Sequence, residues 1–343
     1  MFTVPIVDIS CYVDPHGSPT DRARVAAELD NACAGVGFIQ IVGHGIGRAT
    51  VAALTAALDE FYALPLDVKK RYTRPGENRG YSPPKSESLS MSLGVAAANQ
   101  MNDFYEAFTV GAERGWFPHV DLPATSYPDN TWPAAAGGFR PAVEAWFDAA
   151  WAVSRTLLTA FADALGLTPG YFDPLTDHSI DALKLNNYTL PEGEIELAGE
   201  LTGMGAHTDF GILTVLRADR VPGLQVLDHD GTWHDVQPVD GALLVNLGDA
   251  MARWTNDRWR STVHRVDPPV VDGRIIRRRS AAFFFDGNHD AVIETLPGCA
   301  DVGGPGYEPI TIGEHISAKL AGMKSGVAPI DADREAQRVL AAG

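Results

Sequence analysis

The chain has 343 residues, 45% of them hydrophobic and 21% charged, with 44 acidic against 27 basic side chains and a formal charge of -17. That length can bury a large core, and the apolar content excludes a chain that is disordered throughout. The negative field repels phosphate backbones and anionic lipid surfaces, so neither nucleic acid nor a membrane is expected as a partner, and a monomer is taken as the default state.

Cys11, Cys33 and Cys299 are odd in number, widely spaced and lack a C-x-x-C pair. This argues against a disulfide framework or a thiolate zinc site. The opening MFTVPIVDIS carries neither the basic nor the apolar region of a signal peptide, and no stretch approaches the length of a membrane span. A cytoplasmic location is therefore expected.

In chain order, Val4, Ile6, Val7 and Ile9 predict a short strand. Ser18 then serves as an N-cap with Pro19 at the first helical position, and Val25, Leu29 and Cys33 recur every four residues until Gly35 and Gly37 stop the helix. A strand over Phe38 to Val42 leads through Gly43-His44-Gly45 into a helix with the stripe Val51, Leu54, Leu58 and Phe61, ended before Pro65. Arg74 to Gly138 is rich in Gly, Pro, Ser and Asn and reads as irregular, with a strand near Phe104 to Val110. A long helix follows from about Pro141 to Leu165, closed by Gly166. From Ala182 to Phe285 the pattern changes to short β-type runs: LKLNNYTL, GILTVL, GLQVL, TWHDV, ALLVNL, STVHRV and SAAFFF. Strands at this spacing predict a sandwich or jelly-roll barrel, with a tight hairpin at Asp228 to Gly231. Glu314 to Leu320 has a helical pattern and reads as a lid over the barrel mouth, a packed surface helix or an oligomer contact.

Among these strands lies Gly205-Ala206-His207-Thr208-Asp209-Phe210-Gly211, and a second histidine, His264, follows in STVHRV. In extended backbone, residues two apart share a side, so His207 and Asp209 reach one ion while Thr208 faces away. Two imidazoles and a carboxylate leave coordination positions open, as oxygen-activating iron(II) sites require. Zinc with three protein ligands is the competing metal. A second His-x-Asp, His119-Val120-Asp121, sits in the Pro-rich stretch WFPHVDLP and reads as a surface loop. Arg278-Arg279-Ser280 opens the apolar strand Ala281 to Phe285, and alternation puts Arg278 and Ser280 on one face. A guanidinium fork and a hydroxyl inside a barrel suit a carboxylate. Arg277 and Arg279 are expected to be solvent-exposed. Phe210, Leu213 and Phe285, with Tyr81, Met101, Phe104 and Tyr105, are placed either in a pocket or in plain core.

Together these residues resemble the iron(II)/2-oxoglutarate-dependent dioxygenases of the isopenicillin N synthase-like superfamily. VPIVDIS, ACAGVGFIQIVGHGI, FYALPLDVKKRY, RGYSPP, LKLNNYTLP and WTNDRWRSTVHRV carry the resemblance across nearly the whole chain. It implies a mixed α+β fold with a distorted double-stranded β-helix, or jelly-roll, core and flanking helices. It assigns Fe(2+) to His207, Asp209 and His264, and the far carboxylate of 2-oxoglutarate to Arg278 and Ser280, with Asn186 and Tyr188 near the co-substrate. His44 is structural in this pattern. Thr189-Leu190-Pro191 departs from the Pro-rich continuation common in plant members. The implied division is an N-terminal region at 1–135, a linking helix at 136–178, the jelly-roll core at 179–290 and a C-terminal extension at 291–343. The implied activity uses dioxygen to hydroxylate, desaturate or cyclise a small-molecule metabolite, with release of succinate and CO2. The alternatives are an isopenicillin N synthase-like oxidase that does not use 2-oxoglutarate, and a non-catalytic iron- or 2-oxoglutarate-binding protein.

Overall fold

The computed structural model describes residues 2–84, 86, 105–189, 204–271, 274–301 and 306–325. The N-terminal third alternates short strands with helices: β1 (Ile6–Asp8), α1 (Ser10–Val13), α2 (Pro19–Gly35), β2 (Phe38–Val42), α3 (Arg48–Tyr62), α4 (Leu66–Lys69), β3 (Gly80–Ser82) and β4 (Glu106–Gly111). Ser18 caps α2 by accepting a hydrogen bond from the Asp21 amide, and Val25, Leu29 and Cys33 are buried. Next comes α5 (Phe139–Leu165), whose end is set by Gly166 in the left-handed region at φ +67°, where a side chain would be strained.

The strand-rich part follows as β5 (Ala182–Tyr188), β6 (Met204–His207), β7 (Leu213–Ala218), β8 (Leu224–Leu227), β9 (Trp233–Asp235) and β10 (Leu243–Leu247). Then come α6 (Asp249–Trp254), β11 (His264–Val266), β12 (Val270–Val271), β13 (Arg274–Ile275), β14 (Arg278–Phe285), β15 (Val292–Ile293), β16 (Ile310–Thr311) and α7 (Ile312–Ser325). An eight-stranded sheet has the order β1-β2-β10-β7-β14-β5-β4-β3, and a four-stranded sheet the order β6-β11-β8-β9. Strands from the N-terminal third thus complete the same sheet as those of the core. The predicted hairpin joins β8 to β9, with the Asp228 carboxylate accepting from the amides of Asp230 and Thr232.

Strand alternation divides the large sheet into two working faces. On β14, Ala281, Phe283 and Phe285 belong to the core shared with α2, α3 and α5, where Phe147 meets Phe283 edge-on with centroids 4.9 Å apart. The intervening residues Arg278, Ser280, Ala282 and Phe284 line a cavity between the two sheets. This is the expected jelly-roll core with flanking helices. Leu213 and Phe285 therefore belong to the helix-facing core, whereas Phe210 and Phe284 line the cavity. Met101, Phe104 and Pro191 lie outside the described residues.

The C-terminal helix α7 is docked on the barrel. Lys319 is 1% exposed and forms a 2.9 Å salt bridge with Asp249, which is fully buried at the start of α6. His315 Nε2 lies 3.1 Å from the Phe210 carbonyl, and Ile316 and Leu320 enter the cavity wall. Removing one partner of a buried ion pair leaves an uncompensated charge, so Lys319→Ala should lower stability by about 3–5 kcal/mol in urea unfolding. A loss below about 1 kcal/mol would show that α7 is not held this way in solution. Among the described residues no single helix is long and apolar enough to cross a membrane.

Candidate active site

β6 and β11 pair antiparallel with His207 directly opposite His264, and Asp209 follows β6 by one turn residue. The imidazole centroids lie 4.3 Å apart. Asp209 Oδ1 is 3.7 Å from His207 Nε2 and 3.8 Å from His264 Nε2. One ligand atom from each of the three residues falls within 4.8 Å of the others, and all three side chains are buried. The set can hold one metal ion and is the only such group of histidine, cysteine or carboxylate side chains among the described residues.

The surrounding contacts orient each donor. His207 Nδ1 lies 2.8 Å from the Gly205 carbonyl and His264 Nδ1 3.1 Å from the Thr262 carbonyl. A carbonyl can only accept, so each Nδ1 donates and each Nε2 is turned toward the shared point. Asp209 Oδ2 accepts hydrogen bonds from Thr214 Oγ1 at 2.5 Å and Asn246 Nδ2 at 2.7 Å, leaving Oδ1 for the metal. Burial, reinforced by the charge of His264, pushes the His207 pKa down to about 3, so the imidazole is neutral and ready to ligate. Thr208, between them, donates to Asp249 at 3.0 Å and also borders the cavity. Gly211, two residues beyond Asp209, has no room for a side chain: a Cβ there would sit 1.9 Å from an Asp286 carboxylate oxygen.

At the other end of β14 the cavity is built for an anion. Arg278 is 2% exposed, and its Nε and Nη1 have no hydrogen-bond partner among the described residues. Its guanidinium stands 5.2 Å from the ring centre of Tyr188, its cross-strand partner. Burial lowers the Arg278 pKa from its usual value, opposed by Tyr188 and Asp219. Ser280 pairs with Asn186, whose Nδ2 donates to Ser280 Oγ at 3.3 Å while the buried Asn186 Oδ1 has no partner among the described residues. A buried guanidinium with spare N–H groups is costly alone and fits a carboxylate ligand.

The structure brings together all seven sequence-predicted site residues on one cavity: His207, Asp209, His264, Arg278, Ser280, Asn186 and Tyr188. Others stand apart. His44 binds the Gly241 carbonyl at 2.9 Å, and His119 and Asp121 are exposed. Arg279 departs from the expectation of free solvent exposure: it is half-buried and bonds Asp219 at 2.8 Å and Asp59 at 2.6 Å. Arg277 shares Asp59. Sequence reasoning missed Asn246 and Thr214, which steady Asp209, and Lys184, which also lines the cavity. The signal was present for Asn246, a lone amide in the apolar strand run ALLVNL.

A jelly roll that offers two imidazoles and a carboxylate at one point, beside a buried arginine, defines a mononuclear metal-dependent oxygenase. Comparison with known proteins makes the class specific. The profile of the non-haem dioxygenase N-terminal region, described from morphine synthesis, matches residues 4–135. That of the 2OG-Fe(II) oxygenase superfamily matches residues 180–287. The 2-oxoglutarate-Fe(II) type oxidoreductase hxnY of Emericella nidulans is 36% identical over 91% of this chain and 88% of its own length. Validamycin A dioxygenase of Streptomyces hygroscopicus subsp. limoneus is 32% identical over 92% of this chain and 86% of its own. A full-length Neurospora crassa protein, solved in complex with alpha-KG and thymine, superposes with a TM-score of 0.79 at 29% identity, covering 93% of this chain and 96% of that one. The chain belongs to the 2-oxoglutarate- and Fe(II)-dependent oxygenases, and it is an enzyme.

Proposed function

We propose that His207, Asp209 and His264 hold the ferrous ion, that Arg278 and Ser280 hold the far carboxylate of 2-oxoglutarate, and that Asn186 and Tyr188 flank it. The observation that carries this reading is one continuous cavity with a three-donor metal face and a buried guanidinium whose Nε and Nη1 are unpaired. When bound, ferrous iron and 2-oxoglutarate supply the oxidising chemistry: dioxygen is reduced, the co-substrate becomes succinate and CO2, and the substrate is oxidised. The protein's residues supply placement. Arg278 and Ser280 fix one end of the co-substrate, the donors facing it fix the metal, and the apolar walls from Phe210, Phe284, Ile316 and Leu320 keep water from the reacting centre. Asn246 and Thr214 hold the Asp209 carboxylate so that one oxygen alone faces the metal.

The substrate is a small metabolite, oxidised by hydroxylation, desaturation or cyclisation; the validamycin and thymine in the relatives' names support this class. The cytoplasmic, monomeric reading rests on three unpaired cysteines and on a charge of -17, which disfavours nucleic acid and anionic membranes. The division at 1–135, 136–178, 179–290 and 291–343 is kept as our working organisation.

The test is an anaerobic titration of the ferrous protein with 2-oxoglutarate, followed by the weak visible charge-transfer band of the chelate. Bound iron without a band would transfer Arg278 to a substrate carboxylate, as in the oxidase alternative. Asn246→Ala should weaken ferrous binding by roughly 10–100-fold, since residues that orient metal ligands typically matter by that much. Competition against a chelator of known affinity measures it, and an unchanged constant would remove Asn246 from the site.

A further inference from the structure

Among the described residues, two charged groups on the cavity wall have no task in the reading above, Lys184 and Asp286, and it is Asp286 that lies toward the metal side. Asp286 follows β14 directly, in the same inward-facing series as Arg278, Ser280, Ala282 and Phe284, and it lines the cavity while only 9% exposed. Along the strand it lies roughly 25 Å from Arg278, at about 3.3 Å per residue. Its carboxylate leans over the backbone of Gly211, two residues past Asp209, which places it on the metal side of the cavity, away from the anion clamp. Its backbone amide is bonded to Asp181 at 2.9 Å, yet no described residue donates a hydrogen bond to its side chain. Arg79, the cation that acts on it through space, directs Nη1 and Nη2 to the carbonyls of Asn78 and Ala112 and forms no salt bridge with it.

We propose that Asp286 is a specificity residue that receives a protonated nitrogen on the substrate, the rest of which is an apolar or aromatic body. This deepens the function proposed above and rests on it. The body's place is set by the same wall: Phe284 precedes Asp286 by two residues, Phe210 adjoins Gly211, and Ile316 and Leu320 of α7 close that side. A buried carboxylate without donors costs free energy as an anion, and a bound cation supplies the missing partner. Lys184 also lines the cavity, but it is engaged with the Tyr105 hydroxyl at 3.1 Å and pairs across the sheet with Ala282, nearer the Arg278 end. The two ends therefore differ in sign, which orients a substrate with its positive group away from 2-oxoglutarate.

The experiment uses three matched probes, benzylamine, benzyl alcohol and benzoate, titrated by calorimetry into protein loaded anaerobically with ferrous iron and 2-oxoglutarate. Benzylamine is expected to bind roughly tenfold or more tighter than benzyl alcohol, with benzoate weakest, because a hydrogen bond to a charged group is worth more than one to a neutral group. Asp286→Asn should remove that preference while the charge-transfer band and the 2-oxoglutarate affinity stay unchanged. Equal binding of amine and alcohol by the native protein overturns the proposal, as does a preference that survives in Asp286→Asn. The native comparison decides by itself if the variant does not fold. Absence of the band reports failure of the underlying site assignment instead, and the same probe comparison is then read on the metal-free protein.

Discussion

His207→Ala is expected to abolish the charge-transfer band that develops when 2-oxoglutarate is added anaerobically to the ferrous protein. In the proposed site His207 is one of three protein donors found among the described residues, and its Nε2 is aimed by the bond from Nδ1 to the Gly205 carbonyl. Altering groups that merely orient a ligand costs roughly 10–100-fold in metal affinity, so deleting a ligand should cost roughly 100-fold or more. Succinate release should fall with iron occupancy. The fold should persist, because the residues around the site are held by the pairing of β6 with β11 and β11 with β8. A variant that retained full ferrous affinity and the band would sink the assignment of His207. His119→Ala serves as the control, since that histidine is exposed and belongs to the second His-x-Asp.

Arg278→Ala should act on the other half of the site. Its Nε and Nη1 are the unpaired donors of a buried cation, and charge-assisted hydrogen bonds contribute about 1.5–3 kcal/mol each. Losing the fork is therefore expected to weaken 2-oxoglutarate roughly 100-fold or more, while ferrous affinity without co-substrate stays near that of the native protein. The band should return at high 2-oxoglutarate, which separates a binding defect from a missing metal. Thermal protection by 2-oxoglutarate should be lost at concentrations that saturate the native enzyme, because a ligand stabilises only in proportion to its occupancy. An unchanged co-substrate affinity would show that the guanidinium serves a different carboxylate.

The two variants separate the site by chemistry, and the structure explains why they should not substitute for each other. His207 and His264 belong to the small sheet, whereas Arg278 and Ser280 belong to the large one. The cavity is the space between, and α7 joins its walls through Ile316 and Leu320. Its anchor on Asp249 is also the acceptor for Thr208, between the two proposed ligands of the His-x-Asp motif. Docking of the C-terminal helix is thereby linked to the segment that carries the proposed donors His207 and Asp209.

Much of this was legible from local periodicity. An alternation of two is a property of extended backbone itself, so His207 with Asp209 and Arg278 with Ser280 were bound to share a side wherever the strands packed. The same rule carried along β14 points Ala282, Phe284 and Asp286 inward, and Phe285, for which pocket and core were both open, outward to the helices. Helices α2 and α5 announced themselves through capping and a stripe at helical spacing, because those signals lie within a few residues of one another. The sequence by itself thus determined the strand-rich class, the residue types of the proposed metal donors and which neighbours face together. Tertiary structure alone decided that His264 stands opposite His207, that Asn246 from β10 steadies Asp209, that Arg279 is tied to Asp59 and Asp219, and that Lys319 reaches Asp249. Each of those contacts joins segments far apart in the chain, and sheet register and helix docking, rather than local backbone preference, set their meeting.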